Sequence, residues 1–207
     1  MAVTSYSELQ QYILDVADRT DITAPLVDNF IFLAEARANQ KLRVPSMETT
    51  KMISSVNSQL KIPSDFLALR RITSPDGDKA HTLQYVSFDD LMTMRHMVGG
   101  NPNPVTFFSR QGPYWYLDQD LPDGTNFLTY YYKVIPQLTG LNQVNWLLAL
   151  SPASYIYGAL KHLYEYVFDQ DRAAYWEGKF EQELDLIQQM SDAAQYSGTL
   201  LSVTPNP

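Results

Sequence analysis

The stretch "NWLLALSPASYIYGALKHLYEYVF", residues 145–168, decides the fold of this chain, because it predicts a helix with apolar or aromatic residues on more than one face. Ser151 followed by Pro152 is the N-cap-then-proline pattern that begins a helix. A surface helix needs a single apolar stripe, so other elements must cover the remaining faces of this one. Two coverings are open: the rest of the same chain, or a neighbouring subunit.

Two helices are predicted at the start of the chain. "SYSE" at residues 5–8 has the form of a capping box, and apolar residues follow at spacings of three and four as far as Thr20. A second helix begins near Pro25 and ends before Pro45. Its apolar stripe leaves Glu35 outside and consists of Val27, Phe30, Ile31, Ala34 and Ala38.

A last, long helix is predicted after Asp169, which can cap it. Trp176 lies on its apolar stripe, and another face is acidic, with Glu177, Glu181, Glu183 and Asp185. Residues 145–195 hold eight acidic and three basic side chains, so they carry five of the chain's eight net negative charges.

The middle of the chain reads as strands with alternating apolar residues. "ETTKMISSVNSQLKIP", residues 48–63, predicts two strands joined by an Asn-Ser turn. "VTFFSR", "YWYL" and "NFLTYYYKV" follow as strands separated by turn residues, after a small helix over residues 87–97.

The predicted fold class is therefore α+β. A helical bundle forms from the N-terminal helix pair and two long C-terminal helices, with an inserted antiparallel β subdomain and an extended C-terminal tail. We expect the helical domain to comprise residues 1–45 and 145–195, the β subdomain residues 46–144, and the tail residues 196–207.

Composition limits the function. The chain has 207 residues, of which 45% are hydrophobic, and no cysteine, so disulfides, thiolate nucleophiles and Cys-based metal sites are excluded. No apolar run approaches the roughly 20 residues that span a bilayer, and the start lacks a signal-peptide pattern, so no membrane partner and no secretion are expected. A net charge of -8 disfavours a protein that grips duplex DNA but permits one that lets DNA slide past.

The search for chemistry yields no catalytic residue, no metal site and no cofactor. There is no Gly-rich phosphate loop or nucleophile elbow, and the three histidines, including His162, lack metal-ligand spacing. Asp118 and Asp120 could hold a cation, but they lie beside turn residues, where aspartate is favoured for local hydrogen bonds. An enzyme is not supported, and the surplus of tyrosines favours an interface instead.

Four sequence segments resemble the head–tail adaptor proteins of short-tailed bacteriophages, in particular those of the tail tubular protein A type. They are "SYSELQQYILDVADRTDI", "FIFLAEARANQKLRVPSMETT", "LKIPSDFLALRRI" and "TYYYKVIPQLTGLNQVNWLLALSPASYIYGALKHLYEYVFDQDRAAYWEGKFEQEL". Their order and spacing carry the resemblance, which spans roughly residues 5–187.

The resemblance implies a structural virion protein of the phage neck, made in the host cytoplasm. It implies a homo-oligomeric ring, usually of twelve copies, that docks on the portal protein, meets the tail nozzle or tail tube protein, and passes DNA without binding it specifically. In that setting we expect subunit-interface roles for Tyr155, Tyr157, Tyr164 and Trp176. We expect portal contacts from Leu200, Leu201 and Val203, and channel-facing charges from Glu177, Glu181, Glu183 and Asp185.

Two other functions stay open at this point. A tail-associated hydrolase acting on cell-wall or surface polymer needs paired carboxylates, for which Asp118 with Asp120 is the one nearby pair. A DNA-binding module is the third interpretation, and its affinity should fall steeply with salt.

Overall fold

A computed structural model describes residues 3–19, 21–74, 81–97 and 105–196, and it shows the α+β fold that the sequence predicts. The helices in these ranges are α1 (Tyr6–Ala17), α2 (Ala24–Lys41), α3 (Phe88–Met97), α4 (Trp146–Leu150), α5 (Pro152–Tyr166) and α6 (Gln170–Tyr196). The strands are β1 (Glu48–Ser54), β2 (Gln59–Lys61), β3 (Phe66–Ser74), β4 (His81–Thr82), β5 (Gln84–Tyr85), β6 (Phe107–Gln111), β7 (Tyr114–Leu117) and β8 (Asn126–Lys133).

The described residues divide into two compact units. The helical unit contains the chain up to Ser46 and from Ile135 onward, and the β unit is Met47–Val134. The segment 135–144 is thus grouped with the helices, and its backbone is hydrogen bonded to α2, where Asn39 Oδ1 accepts from the Ile135 N–H at 2.8 Å. Among the helices in the described ranges, none combines the length and apolar character that crossing a bilayer requires.

Local signals at the helix starts are confirmed. Ser5 and Glu8 form a capping box with both reciprocal hydrogen bonds, and the Ser151 side chain accepts from the Ser154 N–H ahead of α5. The first helix is shorter than predicted, because Asp18 adopts a left-handed conformation and ends it after Ala17. Thr20 lies outside the described residues.

The covering of α5 comes largely from its own chain. This helix packs against α1, α2, α4 and α6. Gly158 marks the tightest place, because a Cβ built there would lie 2.6 Å from Ala34 Cβ of α2 and 3.1 Å from two ring atoms of Phe180 of α6. The missing side chain lets three helices converge on one point.

The β unit contains two four-stranded sheets, ordered β1-β8-β3-β4 and β2-β7-β6-β5. The predicted Asn-Ser turn is present, with positive φ at Asn57 and Ser58, but the two strands that it joins do not form an extended hairpin. β1 pairs with β8 and β2 pairs with β7, so the turn passes the chain from one sheet to the other. One isolated bridge, Val56 to Gln59, closes the turn itself.

Alternation along β8 is confirmed, since Phe127, Thr129 and Tyr131 are buried while the residues between them are half-buried. Side chains from both sheets share one apolar core, whose buried members are Ile53, Leu60, Ile72, Leu83, Val105, Phe108, Trp115, Leu117 and Phe127.

Candidate subunit interface

The aromatic residues of α5 divide between the core and the surface. Tyr155 is only 1% exposed, and its hydroxyl donates to Glu35 Oε1 at 2.9 Å and accepts from Asn145 Nδ2 at 2.6 Å. The ring and hydroxyl of Tyr155 are therefore occupied within its own chain. This corrects the expectation of an interface role, because a side chain with no exposed surface offers nothing to a second subunit.

Glu35 is the centre of a buried polar network that the sequence reasoning missed. It is 3% exposed, and Oε1 also accepts from the Leu138 N–H at 2.9 Å. Burial raises its pKa from the ordinary 4.5 to about 7, against the opposing effect of the hydrogen bonds from Leu138, Tyr155 and Asn145. The network ties α2 to α5 and to the segment that precedes α4.

A signal for Glu35 was present in the sequence. It follows Ile31 by four residues and precedes Ala38 by three, so it lies on the same helical stripe as these two buried residues rather than outside it. A carboxylate inside an apolar stripe requires buried hydrogen-bond donors, and here they come from far along the chain.

Tyr157 and Trp176 form a half-buried aromatic pair on the outside of α5 and α6. Their rings stack with centroids 5.5 Å apart, and Tyr175 meets Trp176 edge-on at 5.1 Å. Tyr164 is half-buried and lies under the guanidinium of Arg172, which is 5.4 Å from its ring centroid. The structure thus brings together Tyr157 and Trp176, while Tyr164 has its own partner nearer the α5–α6 turn.

The four acidic residues of α6 have different surroundings. Glu181 pairs with Arg37 at 2.8 Å and with Lys41 at 2.7 Å, and Asp185 pairs with Lys41 at 2.7 Å. Glu183 accepts from the Ser151 hydroxyl at 2.7 Å, and Glu177 is exposed. Since two of the four are partly neutralised by α2, the acidic surface is weaker than the sequence suggests.

A groove of about 350 Å³ lies between α2, α5 and α6. Its lining includes Leu33, Gln40, Lys161, His162 and Phe180. His162 Nδ1 is 3.0 Å from Glu165 Oε2, and burial lowers the histidine's pKa despite that carboxylate. Glu165 also pairs with Lys161 at 2.9 Å, so this wall of the groove has its opposite charges matched.

The turn between α5 and α6 exposes an aromatic side chain that the sequence reasoning did not single out. Phe168 has φ +58° and is 87% exposed. The sequence predicted α5 to run to about this residue, whereas the helix ends at Tyr166 with Val167 as its C-cap, and Phe168 follows in the left-handed conformation. The signal that could have identified Phe168 in the sequence is its position directly before Asp169, the predicted cap of the next helix.

The carboxylate pair of the hydrolase alternative is engaged in structural contacts. Asp118 Oδ2 accepts from the backbone N–H groups of Thr106 at 3.2 Å and Phe107 at 3.1 Å, and burial raises the pKa of this carboxyl. Asp120 pairs with Arg95 instead. Within the ranges that the structure describes, no group of three or more His, Asp or Glu side chains could hold a metal ion.

The three expected portal contacts, Leu200, Leu201 and Val203, lie outside the described residues. A family model described as SU10 adaptor protein matches residues 4–202 of the chain, which include both units and the aromatic helix. No curated protein matches the chain.

Proposed function

Because the chain belongs to the SU10 adaptor protein family, we propose that it is a head–tail adaptor that assembles into a ring beneath the portal protein and joins it to the tail. Membership of the family indicates a phage structural adaptor and a structural, non-enzymatic role. The match over residues 4–202 is the observation that carries this proposal. The proposal includes a ring of twelve copies, a likeness to the tail tubular protein A type and a location in the virion neck.

Uncovered apolar surface on the helical unit supports association with other subunits. Single exposed apolar side chains are normal on monomeric proteins, whereas contiguous apolar patches larger than a few hundred Å² mark interaction sites. The exposed large apolar residues of this unit are Val16, Phe32, Leu33, Leu141, Val144, Leu150, Tyr166, Phe168, Tyr175, Leu186 and Met190. In the proposed ring, Tyr157, Tyr164 and Trp176 contact the neighbouring subunit.

The charge of the helical unit supports a DNA channel that does not retain DNA. Residues 1–46 and 135–207 hold 14 acidic and 7 basic side chains, a net charge of -7, while residues 47–134 hold 9 and 8, a net charge of -1. Like charge prevents the phosphate contacts that give duplex affinity. Glu177, Glu181, Glu183 and Asp185 are the proposed channel-facing residues, with the first and last of them exposed.

In the same proposal, the segment with Leu200, Leu201 and Val203 contacts the portal, and the β unit faces the tail nozzle or tail tube protein. The ring forms part of the path for DNA ejection. In this proposal Asp118 and Asp120 have structural roles, since Asp118 accepts from the Phe107 N–H and Asp120 pairs with Arg95.

Replacing the aromatic pair should impair assembly more than folding. We expect Tyr157→Ala and Trp176→Ala each to reduce incorporation into portal-bound rings about tenfold, the effect of losing a modest interface anchor. Light-scattering mass and negative-stain imaging, on the protein alone and mixed with its own phage's portal rings, measure incorporation. Thermal melting measures folding.

Tyr155→Phe provides the matched control, because it removes a buried hydroxyl that holds Glu35 and touches no proposed interface. It should lower Tm and leave the incorporation of folded protein unchanged. If wild-type protein ignores well-formed portal rings far above micromolar concentration, the adaptor proposal fails. If Tyr157→Ala lowers Tm and incorporation in parallel, Tyr157 is a core residue instead.

A further inference from the structure

Strand β1 is the longest sheet edge among the described residues. It is seven residues long and lies at the end of the sheet β1-β8-β3-β4, so it pairs on one side only. The other sheet edges are β4 and β5, with two residues each, and β2, with three. Short edges, prolines and bulges commonly protect a sheet from pairing with another chain. β1 has none of these, since it contains no proline and its register with β8 is continuous.

Every second residue of β1 directs its backbone groups away from the sheet. The Ser55 N–H, directly after the strand, donates to Thr125 O on the β8 side at 2.8 Å. Hydrogen bonds alternate along an antiparallel pair, so Lys51 also bonds towards β8, while Thr50 and Met52 present their N–H and C=O groups to the free edge. Both residues are exposed, and no group in the described ranges bonds to their backbone there. β1 is therefore a template for one more strand.

The side chains of β1 determine the chemistry of a strand that fits beside it. Met52 is 64% exposed and lies opposite half-buried Leu128 of β8. An added strand can extend that apolar pair with a third apolar side chain. Lys51 points to the other face of the sheet, where it is exposed and forms no ion pair with any described residue. An acidic side chain directly opposite Lys51 would supply the missing partner.

A second copy of β1 is a poor occupant of this edge. Lys51 is the central residue of Glu48–Ser54, so antiparallel self-pairing over the whole strand places the two copies of Lys51 opposite each other. They would form a non-hydrogen-bonded pair, in which the Cα atoms are only about 4.5 Å apart. Like charges directly opposite each other destabilise such a pair. The edge therefore disfavours its own copy and favours a strand of opposite charge.

We infer that β1 receives an extended segment of the tail nozzle protein, which joins the sheet as an antiparallel strand. The segment presents an acidic residue opposite Lys51 and, one position before it, an apolar residue opposite Met52. Backbone hydrogen bonds to Thr50 and Met52 supply affinity, and the alternate side chains supply specificity. This inference rests on the proposed adaptor function, in which the β unit faces the tail, and it names the contact made there.

The first test, Thr50→Pro, removes a backbone donor from the free edge. Proline is tolerated on an edge strand where the N–H faces outward, because no hydrogen bond within the chain is lost. Bound to portal rings, this variant should capture the same phage's tail nozzle protein about tenfold more weakly than the wild type, measured by co-sedimentation. Thr50→Ala is the matched control, since it shortens the same side chain, keeps the N–H and should capture normally.

The second test, Lys51→Glu, changes the charge and does not depend on how proline affects folding. Because Lys51 is exposed and unpaired among the described residues, its replacement should leave Tm unchanged. Repulsion from the acidic partner residue should weaken capture about tenfold. Lys61→Glu is the matched control, since Lys61 is an exposed lysine on β2, and it should change neither quantity.

Amide hydrogen exchange of the wild-type protein tests the added strand directly. The Thr50 and Met52 amides should exchange quickly in the portal-bound ring and at least about tenfold more slowly once the tail nozzle protein is bound. The Lys51 amide, already bonded towards β8, should be protected in both states.

The outcomes separate this inference from the adaptor proposal. Wild-type rings that form on the portal but capture no tail nozzle protein, or variants Thr50→Pro and Lys51→Glu that capture it normally, would overturn the strand addition and leave the adaptor function standing. If Thr50→Pro keeps its Tm but no longer joins portal-bound rings, the edge is occupied within the ring or by the portal, and the inference is wrong. If Thr50→Pro lowers Tm, the Lys51 variants and the exchange data decide. A wild-type chain that ignores both portal and tail nozzle protein would overturn both.

Discussion

Raising the pH from 5 to 8 is expected to lower the free energy of unfolding of the wild-type protein by about 2–3 kcal/mol more than that of the Glu35→Gln variant. The reason is the position of Glu35, buried on α2 with the Leu138 N–H and the Tyr155 hydroxyl both donating to Oε1 at 2.9 Å.

The sign follows from the direction of the pKa shift. Burial raises the pKa of Glu35 from 4.5 to about 7, so between these values the folded protein holds a proton that the unfolded chain has released. The stability that this proton confers is complete below pH 4.5 and is lost as the pH rises through 7. Tyr6 and Tyr155, which interact with Glu35, have pKa values raised further above their ordinary range and stay neutral throughout.

Urea unfolding followed by far-UV circular dichroism at pH 5 and pH 8 measures the effect. Glutamine keeps an acceptor oxygen for the same donors and cannot ionise, so the difference between the two proteins isolates the titration of Glu35. Glu181→Gln is the control. Pairing with Lys41 and Arg37 lowers the pKa of Glu181 despite its partial burial, so this carboxylate stays ionised between pH 5 and pH 8. Identical pH dependence in wild type and Glu35→Gln would contradict the prediction.

Glu35 also shows which features of the fold cannot be predicted from local sequence. Helix starts were predicted correctly because the signals are local: Ser5 and Glu8 satisfy each other's backbone N–H groups, and Ser151 accepts from the Ser154 N–H three residues further on. The partners of Glu35 lie 103 and 120 residues away, at Leu138 and Tyr155. The spacing within α2 places Glu35 on the buried stripe, but no pattern within that helix indicates which distant donors will meet the carboxylate.

Strand pairing in the β unit likewise depends on residues far apart in the chain. The Asn57-Ser58 turn was identified from its residue types, and its positive φ values agree with that prediction. A turn fixes the direction of the chain but not the partner of each strand. Here β1 pairs with β8, more than seventy residues away in its register of Ser54 with Asn126, and burial of the shared core decides that choice.

For the candidate interface, periodicity identified which helix faces are apolar but not which neighbour covers them. Tyr155 and Tyr157 are two residues apart, and both looked equally suited to an interface. The structure buries the first against α2 and leaves the second half-buried beside Trp176. The distinction depends on where α2 crosses α5, which is a tertiary property that a single helix does not encode.

That crossing is the subject of the second large prediction, the substitution Gly158→Ala. Alanine should favour the helix by about 1 kcal/mol on intrinsic grounds. We nevertheless expect net destabilisation, because the new methyl group would lie 2.6 Å from Ala34 Cβ and 3.1 Å from the Phe180 ring. Overpacking of this kind costs about 1–3 kcal/mol. A change of rotamer cannot relieve the contact with Ala34, because its Cβ is fixed to the backbone.

Gly178→Ala supplies the matched control on α6, where nothing lies within 4 Å of an added Cβ. It should raise the free energy of unfolding by about 0.5–1 kcal/mol, while Gly158→Ala lowers it by up to about 2 kcal/mol, or up to about 8 °C in Tm. Adding Ala34→Gly to Gly158→Ala restores the space between α2 and α5. The double variant should therefore be more stable than the sum of the two single effects allows, whereas strict additivity would show that the two positions do not touch.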